Sequence, residues 1–537
     1  MKLVSVSEMR AIEFQANERG VTYAEMMQRA GKGVAQVVQR IFAGDDDVTA
    51  VALVGPGNNG GDALVALTEL ATGGWHVRAY LLKARPDDPL LESLTAVGGE
   101  WTTAEDDLNY QQLTAWLVDA DLLLDGLLGT GVELPLRPNA ARLLEAARSV
   151  DPLPFTVAID CPSGVNCDTG EVASQTIPAD VTVCMEAVKA GLLAFPAFNV
   201  IGGLEVVPLD LPVSLPAAEA VETHVVTGEL VRRWMPERPL DAHKGSFGTA
   251  TLVVGSVNYT GAAWLAGSAA YRVGAGLVQM AVAEPLHASL ASQLPEAIWL
   301  LLPHEVGVIS DSAVDLVCEN LNRTTAMLLG SGWGTEDTTT RFLERLLAES
   351  ASHTRRTGLG FVSEPAREAK AGAGLPPLII DADGLRMLAR IKDWPQVLPA
   401  GSILTPHPGE MSALTGLPVD VIQKDRLRLA RQYAREWKQV LVLKGALTVV
   451  ADPEGRAAVI PVATPALARA GTGDVLAGII TGLRAQGLPP FEAAQAGAWI
   501  HAQAGLLARD RHGNSASVLA RDVLNQIQVV MAELYLQ

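Results

Sequence analysis

Short runs of valine, leucine, isoleucine and alanine recur along the chain, each followed by a stretch long enough for a helix. The first series is TAVALVG (49–55), WHVRAYLL (75–82), DLLLDGLLG (121–129), FTVAID (155–160) and ADVTVCM (179–185). Near-continuous apolar runs, unlike strict alternation, mark strands buried on both faces, so the pattern predicts a parallel sheet covered on both sides. Ahead of it the chain reads as helices, with Thr22 and Glu25 spaced as a capping box before MMQRAGKGVAQVVQRIF. A second series follows: TATLVVGS (249–256), GLVQMAVAE (276–284), TAMLLGSG (325–332), PLIIDADG (377–384), GSILTPHP (401–408), VLVLKGALTVV (440–450) and AAVIPVA (457–463). It closes on two long helical segments, DVLAGIITGLRA and FEAAQAGAWIHAQAGLLAR.

Between the two series the pattern breaks. EVVPLDLPVSLPAAEAVETHVV carries prolines at 208, 212 and 216, a spacing that suits an extended linker. The expected organisation is two α/β domains, residues 1–215 and 222–537, each a three-layer αβα unit. At 537 residues the chain is also too long for a single core. The stretch 351–376 has little periodicity and reads as a surface insertion.

Composition mainly excludes. A net charge of −19 argues against nucleic acid or an anionic membrane as the main partner. No apolar run reaches the roughly 18 residues that span a bilayer. The opening MKLVSVSEMRAIEF meets Ser, Glu and Arg before a secretory core forms. Cys161, Cys167, Cys184 and Cys318 make no C-x-x-C pair and no disulfide framework, so a cytoplasmic location is expected.

Candidate chemistry lies where strands give way to loops. Gly55-Pro56-Gly57-Asn58-Asn59-Gly60 has the G-x-G-x-x-G spacing of a dinucleotide fold. Three features weaken a redox reading. Pro56 stiffens the turn, Asp62 places negative charge where a pyrophosphate would sit, and the next strand ends in Lys83 and Arg85, not in a ribose-binding acid. A P-loop is excluded, because no Gly-Lys-Ser/Thr follows. Asn58 and Asn59 taken alone suit turn formation and helix capping equally well. Asp125-Gly126 and Asp160-Cys161-Pro162-Ser163-Gly164 close two further strands, and their oxygens with the Asn58–Asn59 amides suit a weakly hydrated cation. Near the C-terminus Gly471-Thr472-Gly473-Asp474 opens a helix, where backbone N–H groups and the helix dipole form an anion cradle. An aspartate there either complements the dipole or accepts a proton from a hydroxyl attacking a bound phosphate.

The ordered motifs G-x-G-N-N-G-G-D, D-G-L-L-G-T-G, D-x-P-S-G and Lys189-Ala190-Gly191 resemble the NAD(P)H-hydrate epimerase domain over about residues 1–215. The resemblance implies a Rossmann-like fold whose Asn58, Asn59, Gly60, Gly61 and Asp62 contact a hydrated dinucleotide. Gly129, Thr130, Gly131, Val132, Glu133, Leu134 and Pro135 would join them. It further implies a potassium ion near Asn59, Asp125 and Ser163, and an acid–base pair of Asp160 and Lys189, with Asp160 also touching substrate. Ala63 stands where the family has glycine. The hydrate carries a hydroxyl beside the ring nitrogen, and its stereocentre inverts through ring opening or transient loss of water. Both routes need one group to give a proton and one to take it.

From about 225 to 535 the chain resembles the NAD(P)H-hydrate dehydratase branch of the ribokinase-like superfamily. The resemblance rests on His243-Lys244-Gly245-Ser246-Phe247-Gly248, Tyr259-Thr260-Gly261-Ala262, Gly330-Ser331-Gly332-Trp333-Gly334, Asp381-Ala382-Asp383, Thr405-Pro406-His407-Pro408-Gly409-Glu410, Lys444-Gly445-Ala446-Leu447-Thr448 and G-T-G-D. It implies that Ala262, Gly332, His407 and Asp474 contact the hydrate, with Asp474 as base. Lys444, Gly445, Ala446, Leu447, Thr448 and Gly473 would hold ADP or ATP with Mg2+. Ser331 replaces the usual proline, and Arg469 a usual small residue. Together the resemblances imply repair of NADHX and NADPHX by a homo-oligomeric enzyme. The first domain would interconvert R and S epimers, and the second would dehydrate the S form at the expense of ADP or ATP. The competing reading is a small-molecule kinase fused to a non-catalytic nucleotide-binding module.

Overall fold

The computed structural model describes residues 1–45, 47–355 and 374–536. The chain divides into two compact units, Met1–Val225 and Val226–Gln537.

In the first unit seven strands among the described residues form one parallel sheet. From edge to edge they are Glu100–Thr103, His76–Leu81, Thr49–Val54, Leu122–Gly126, Phe155–Ile159, Val181–Met185 and Gly203–Val207. Alternate residues of one central strand belong to two different cores. Ala50, Ala52 and Val54 pack with helices Val6–Glu18, Tyr23–Ile41 and Asn58–Thr72, while Val51 and Leu53 pack with Leu113, Trp116, Leu143 and Leu144. A period of two across a doubly covered sheet gives the three layers read from the sequence. Strand order reverses between Thr49–Val54 and Leu122–Gly126, the switch point at which open α/β sheets bind ligands.

The proline-spaced stretch differs from a free linker. Gly203–Val207 is an edge strand, Pro216–Glu219 a short helix, and Leu209, Leu215 and Val221 are buried in the first unit's core. The carbonyls of Leu209 and Asp210 accept from Arg29, and the Ala218 carbonyl accepts from Lys2 Nζ. Pro208 and Pro212 are tolerated because, among the described residues, no strand lies beyond this edge of the sheet.

In the second unit the strands run Ala457–Val459, Val449–Ala451, Val440–Leu443, Ile403–Leu404, Leu378–Ile380, Ala326–Leu329, Thr249–Val253, Leu277–Ala283 and Ile298–Leu302. Pairing is parallel from Val440–Leu443 onward and antiparallel before it. The apolar run 440–450 is therefore a hairpin and not one strand: Gly445 at φ 141° and Leu447 at φ 56° turn the chain between its halves. Helices Thr260–Arg272, Thr472–Ala485, Pro490–His512 and Ala520–Tyr535 build the main core against Ala250, Leu252 and Val254. The switch point falls between Thr249–Val253 and Ala326–Leu329, where Gly255 N donates to Ser331 O at 2.8 Å. The surface-insertion reading of 351–376 falls mostly outside the described residues; helix Asp337–Arg355 leads into it and strand Leu378–Ile380 follows. Among the described residues no helix is long and apolar enough to cross a membrane.

Candidate active sites

The strand ends of the first unit open into a cavity of about 660 Å³, well within the range of small-molecule sites. Asn58, Asn59, Asp62, Gly129 to Glu133, Pro135 and Asp160 line it. Gly60 and Gly61 lie beneath the wall. A Cβ on Gly60 would stand 2.0 Å from the Gly55 carbonyl oxygen, so this glycine lets the helix start press against the preceding turn. Leu134 is outside the lining. Helix Asn58–Thr72 begins at Gly57 without a side-chain cap, which leaves first-turn N–H groups for a ligand.

Under this wall Asp125 is fully buried. Its Oδ1 accepts from Ser163 Oγ at 2.5 Å and its Oδ2 from Ser163 N at 2.7 Å. Asn59 Nδ2 donates to Leu128 O at 3.0 Å, which leaves the amide oxygen uncommitted. Burial pushes the Asp125 carboxyl up, and the two bonds from Ser163 oppose that.

Asp160 and Lys189 meet. Asp160 follows strand Phe155–Ile159 with φ 65°, and its Oδ1 takes Met185 N at 3.1 Å. Lys189 Nζ closes an ion pair on the same oxygen and donates to Met185 O at 3.2 Å. Lys189 is only 1 % exposed and does not line the cavity, so Asp160 is the member that faces it. Burial opposes the lysine's charge, but the charge and hydrogen bond of Asp160 together with the neighbouring Cys184 and Cys161 hold the ammonium above its ordinary range. Two further carboxyls face the same space. Burial, then Asp160 and Glu13, push Asp62 well up; burial raises Glu13 against the pull of Lys189.

Arg10, Glu13, Tyr23 and Met27 come to the cavity from the two N-terminal helices, and Lys83 and Arg137 from strand-end loops. Of these, sequence reasoning marked only Lys83, and that by its position after the second strand. The others sit on amphipathic helices or in a loop, where no motif identifies them.

In the second unit Asp474 opens helix Thr472–Ala485, behind Gly471 at φ 90°. Lys444 stands beside this helix start: a Cβ on Gly473 would lie 3.6 Å from its Nζ. Lys444 donates to Asp381 Oδ1 at 2.6 Å and lies 3.7 Å from Glu410 Oε2. Asp381 also takes Thr405 Oγ1 at 2.7 Å and Ser331 Oγ at 3.2 Å. Burial first, then Asp381, raise Asp474 to about 7, against Lys444 and a hydrogen bond from Ser331. Ser331, a departure from the family's proline, lies between the two aspartates and donates to Asp381.

Gly332, at φ 70°, packs under Tyr259 and Ala262, where a Cβ would come within 2.7 Å of the Ala262 methyl. His407 is the N-cap of helix Pro408–Thr415: its Nδ1 accepts from Gly409 N at 2.9 Å and Glu410 N at 3.3 Å. Burial, then Lys444, hold this imidazole below its ordinary pKa. Arg469 is bound to the Ala516 carbonyl. Asp381 and Glu410 lay in quoted motifs without a role, and Arg426 was missed. It donates to Leu443 O at 2.8 Å and Lys444 O at 3.2 Å, pinning the base of the 444–448 loop.

Each α/β unit thus sets a lysine–carboxylate ion pair near a helix opened by glycine, the arrangement of a nucleotide-binding enzyme. The family pattern described as NAD(P)H-hydrate dehydratase matches residues 250–355 and 357–529, and that described as YjeF-related protein N-terminus matches 23–191. The bifunctional NAD(P)H-hydrate repair enzyme of Moorella thermoacetica is 34% identical over 99% of this chain and 97% of its own. That of Salinibacter ruber is 36% identical over 97% and 94%. The ADP/ATP-dependent NAD(P)H-hydrate dehydratase of Bacillus subtilis, co-crystallised with ATP/Mg2+, is 29% identical over 58% of this chain and 98% of its own, with a TM-score of 0.47. The chain belongs to the family of bifunctional NAD(P)H-hydrate repair enzymes.

Proposed function

We propose that the first unit interconverts the R and S hydrates of NADH and NADPH, and that the second returns the S form to the reduced dinucleotide using ADP or ATP. The observation that carries this reading is the presence in one chain of two sites: Asp160 backed by Lys189 in the first, and Asp474 beside Lys444 at a helix start in the second.

In the first site Asp160 is the group that exchanges a proton with the hydrate's hydroxyl. Lys189, buried behind it, is the other member of the acid–base pair and holds the carboxylate in place through their ion pair. The residues beneath the cavity fit a potassium ion. Asp125 is a buried carboxylate whose hydrogen-bond partners are the Ser163 and Leu127 donors, and Asn59 has a free amide oxygen nearby. The ion would add positive charge under the 127–131 loop, and Asn59, Asp125 and Ser163 would hold it.

In the second site the hydrate hydroxyl attacks the terminal phosphorus of the nucleotide while Asp474 takes its proton. The P–O bond to the leaving nucleotide breaks, giving AMP from ADP or ADP from ATP. The ring nitrogen's lone pair then expels phosphate, and loss of a proton from the adjacent carbon restores the ring. Lys444 and the Gly473 backbone hold the phosphoryl group, the 444–448 loop the rest of the nucleotide, and Gly332, Ala262 and His407 the hydrate. Mg2+ would accompany the nucleotide phosphates and offset their charge.

The test is direct. Purified hydrates of NADH and NADPH are incubated with the protein and either ADP or ATP, and the absorbance of reduced nicotinamide is followed. Its return, with stoichiometric free phosphate, is expected. A stable phosphorylated product without reduced nicotinamide would instead support the small-molecule kinase. An Asp160→Ala variant that epimerises as fast as wild type would support a non-catalytic first unit.

A further inference from the structure

Lys83 is unused by the chemistry above, yet it lines the first unit's cavity together with Gly57, Asn58 and Asp160. Its position in the sheet is informative. The strand order 100–103, 76–81, 49–54, 122–126, 155–159 is that of a dinucleotide-binding sheet, in which the two halves of the ligand lie on opposite sides of the switch point. Asp160 follows the fifth strand in chain order, so the reacting ring lies over the second half. The adenosine half then lies over the first, its ribose beyond the end of strand His76–Leu81. From there to Asp160 is three strand spacings, about 14 Å. The pyrophosphate falls between them, at the uncapped start of helix Asn58–Thr72.

A sheet of this kind places an acid beyond the second strand when the ribose has a free 2′-hydroxyl, and a cation when it carries a 2′-phosphate. Here that strand runs into Leu82-Lys83-Ala84-Arg85, with no carboxylate before Asp87. Arg85 is already committed: its Nε is 2.5 Å from Asp88 Oδ2 and its Nη1 donates to Gly55 O at 2.8 Å. Lys83 makes no hydrogen bond or ion pair among the described residues. It is the uncommitted cation at this corner, on a long stem that reaches into the cavity mouth.

We infer that Lys83 reads the 2′-phosphate of the adenosine ribose, making the first site selective for the hydrate of NADPH over that of NADH. This rests on the epimerase reading, and the experiment separates the two. Full-length wild type, Lys83→Ala and Lys83→Arg are assayed for epimerisation of each hydrate, with adenosine 2′,5′-bisphosphate and 5′-AMP as competing probes. Wild type is expected to have the lower KM for the NADPH hydrate and to be inhibited better by the bisphosphate. Lys83→Ala should raise that KM about tenfold, as expected for one partly solvated charge-assisted hydrogen bond. Its kcat and its KM for the NADH hydrate should stay within twofold of wild type, its preference for the bisphosphate should vanish, and Lys83→Arg should restore both. Equal effects on both hydrates, no effect on either, or equal inhibition of wild type by the two probes would overturn the inference and leave the epimerase reading standing. Wild type inert toward both hydrates would overturn the epimerase reading, and this inference with it.

Discussion

Asp474 has been brought by burial to about 7, where a carboxylate is a useful base near neutrality. Dehydration should therefore increase with pH through about 7, as the ionised form accumulates. Asp474→Asn keeps the shape and removes the base, so the dehydration rate should fall about 10²- to 10⁴-fold. Nucleotide binding and epimerisation should persist, because Lys444, the Gly473 backbone and the first unit are untouched. A dehydration rate within threefold of wild type would end the assignment. The same raised pKa carries a stability sign. Between the ordinary carboxylate range and about 7 the folded state holds a proton that the unfolded chain has lost, so this group's contribution to stability declines as pH rises. Melting temperatures of Asp474→Asn should accordingly gain on wild type between about pH 4 and about pH 7. In the first unit Asp125→Ala should slow epimerisation, abolish its dependence on potassium and leave dehydration unchanged. Equal wild-type epimerisation in potassium and in a bulky organic cation would argue against a functional ion.

At the scale of elements, both sites are helix starts held against a neighbouring turn, and glycine matters where the backbone is the neighbour. Gly60→Ala would drive a methyl to 2.0 Å from the Gly55 carbonyl oxygen, which cannot yield without moving the turn that carries Asn58. The expected cost is about 1–3 kcal/mol of first-unit stability, with loss of epimerisation. Gly131→Ala meets only the Arg10 guanidinium, at 3.6 Å, and should melt like wild type. Denaturant midpoints of the two variants, measured together, test whether close packing or flexibility is required in these loops. Much of this was legible in the sequence, because turn chemistry is local: glycine pairs, an N-terminal aspartate and Pro-Ser-Gly announce a strand end wherever they occur. Arg10 and Glu13 were not, since amphipathic spacing says which face of a helix is apolar but not what its polar edge overlooks.

For the whole molecule, the boundary after Val225 leads to a comparison of fragments. Residues 1–225 should fold and epimerise, whereas 1–215 should melt lower. The shorter piece lacks Val221 from the core and the Ala218 and Val221 carbonyls that accept from Lys2. Equal melting temperatures would show that the segment after Leu215 contributes nothing. The prolines at 208, 212 and 216 suggested a linker because extended linkers and outer sheet edges tolerate proline for the same reason, the absence of a required N–H donor.

Hydrophobic period, turn residues and motif order determined two α/β units, most of their strands, the strand-end positions of Asn58, Asp125 and Asp160 and the helix-start position of Asp474, because each depends on residues adjacent in sequence. The outer strands Glu100–Thr103, Gly203–Val207 and Ile298–Leu302 were not among them. Partners distant in sequence were decided only by the tertiary structure. Lys189 is a buried ion-pair partner and not a surface lysine because strand Val181–Met185 lies beside Phe155–Ile159 and carries it to Asp160. Lys444 joins Asp381, Glu410 and Asp474 because three neighbouring parallel strands, Leu378–Ile380, Ile403–Leu404 and Val440–Leu443, end side by side next to the start of helix Thr472–Ala485. No pattern along the chain shows such convergence. Strand order sets it, and strand order follows from how long-range pairing buries the apolar faces.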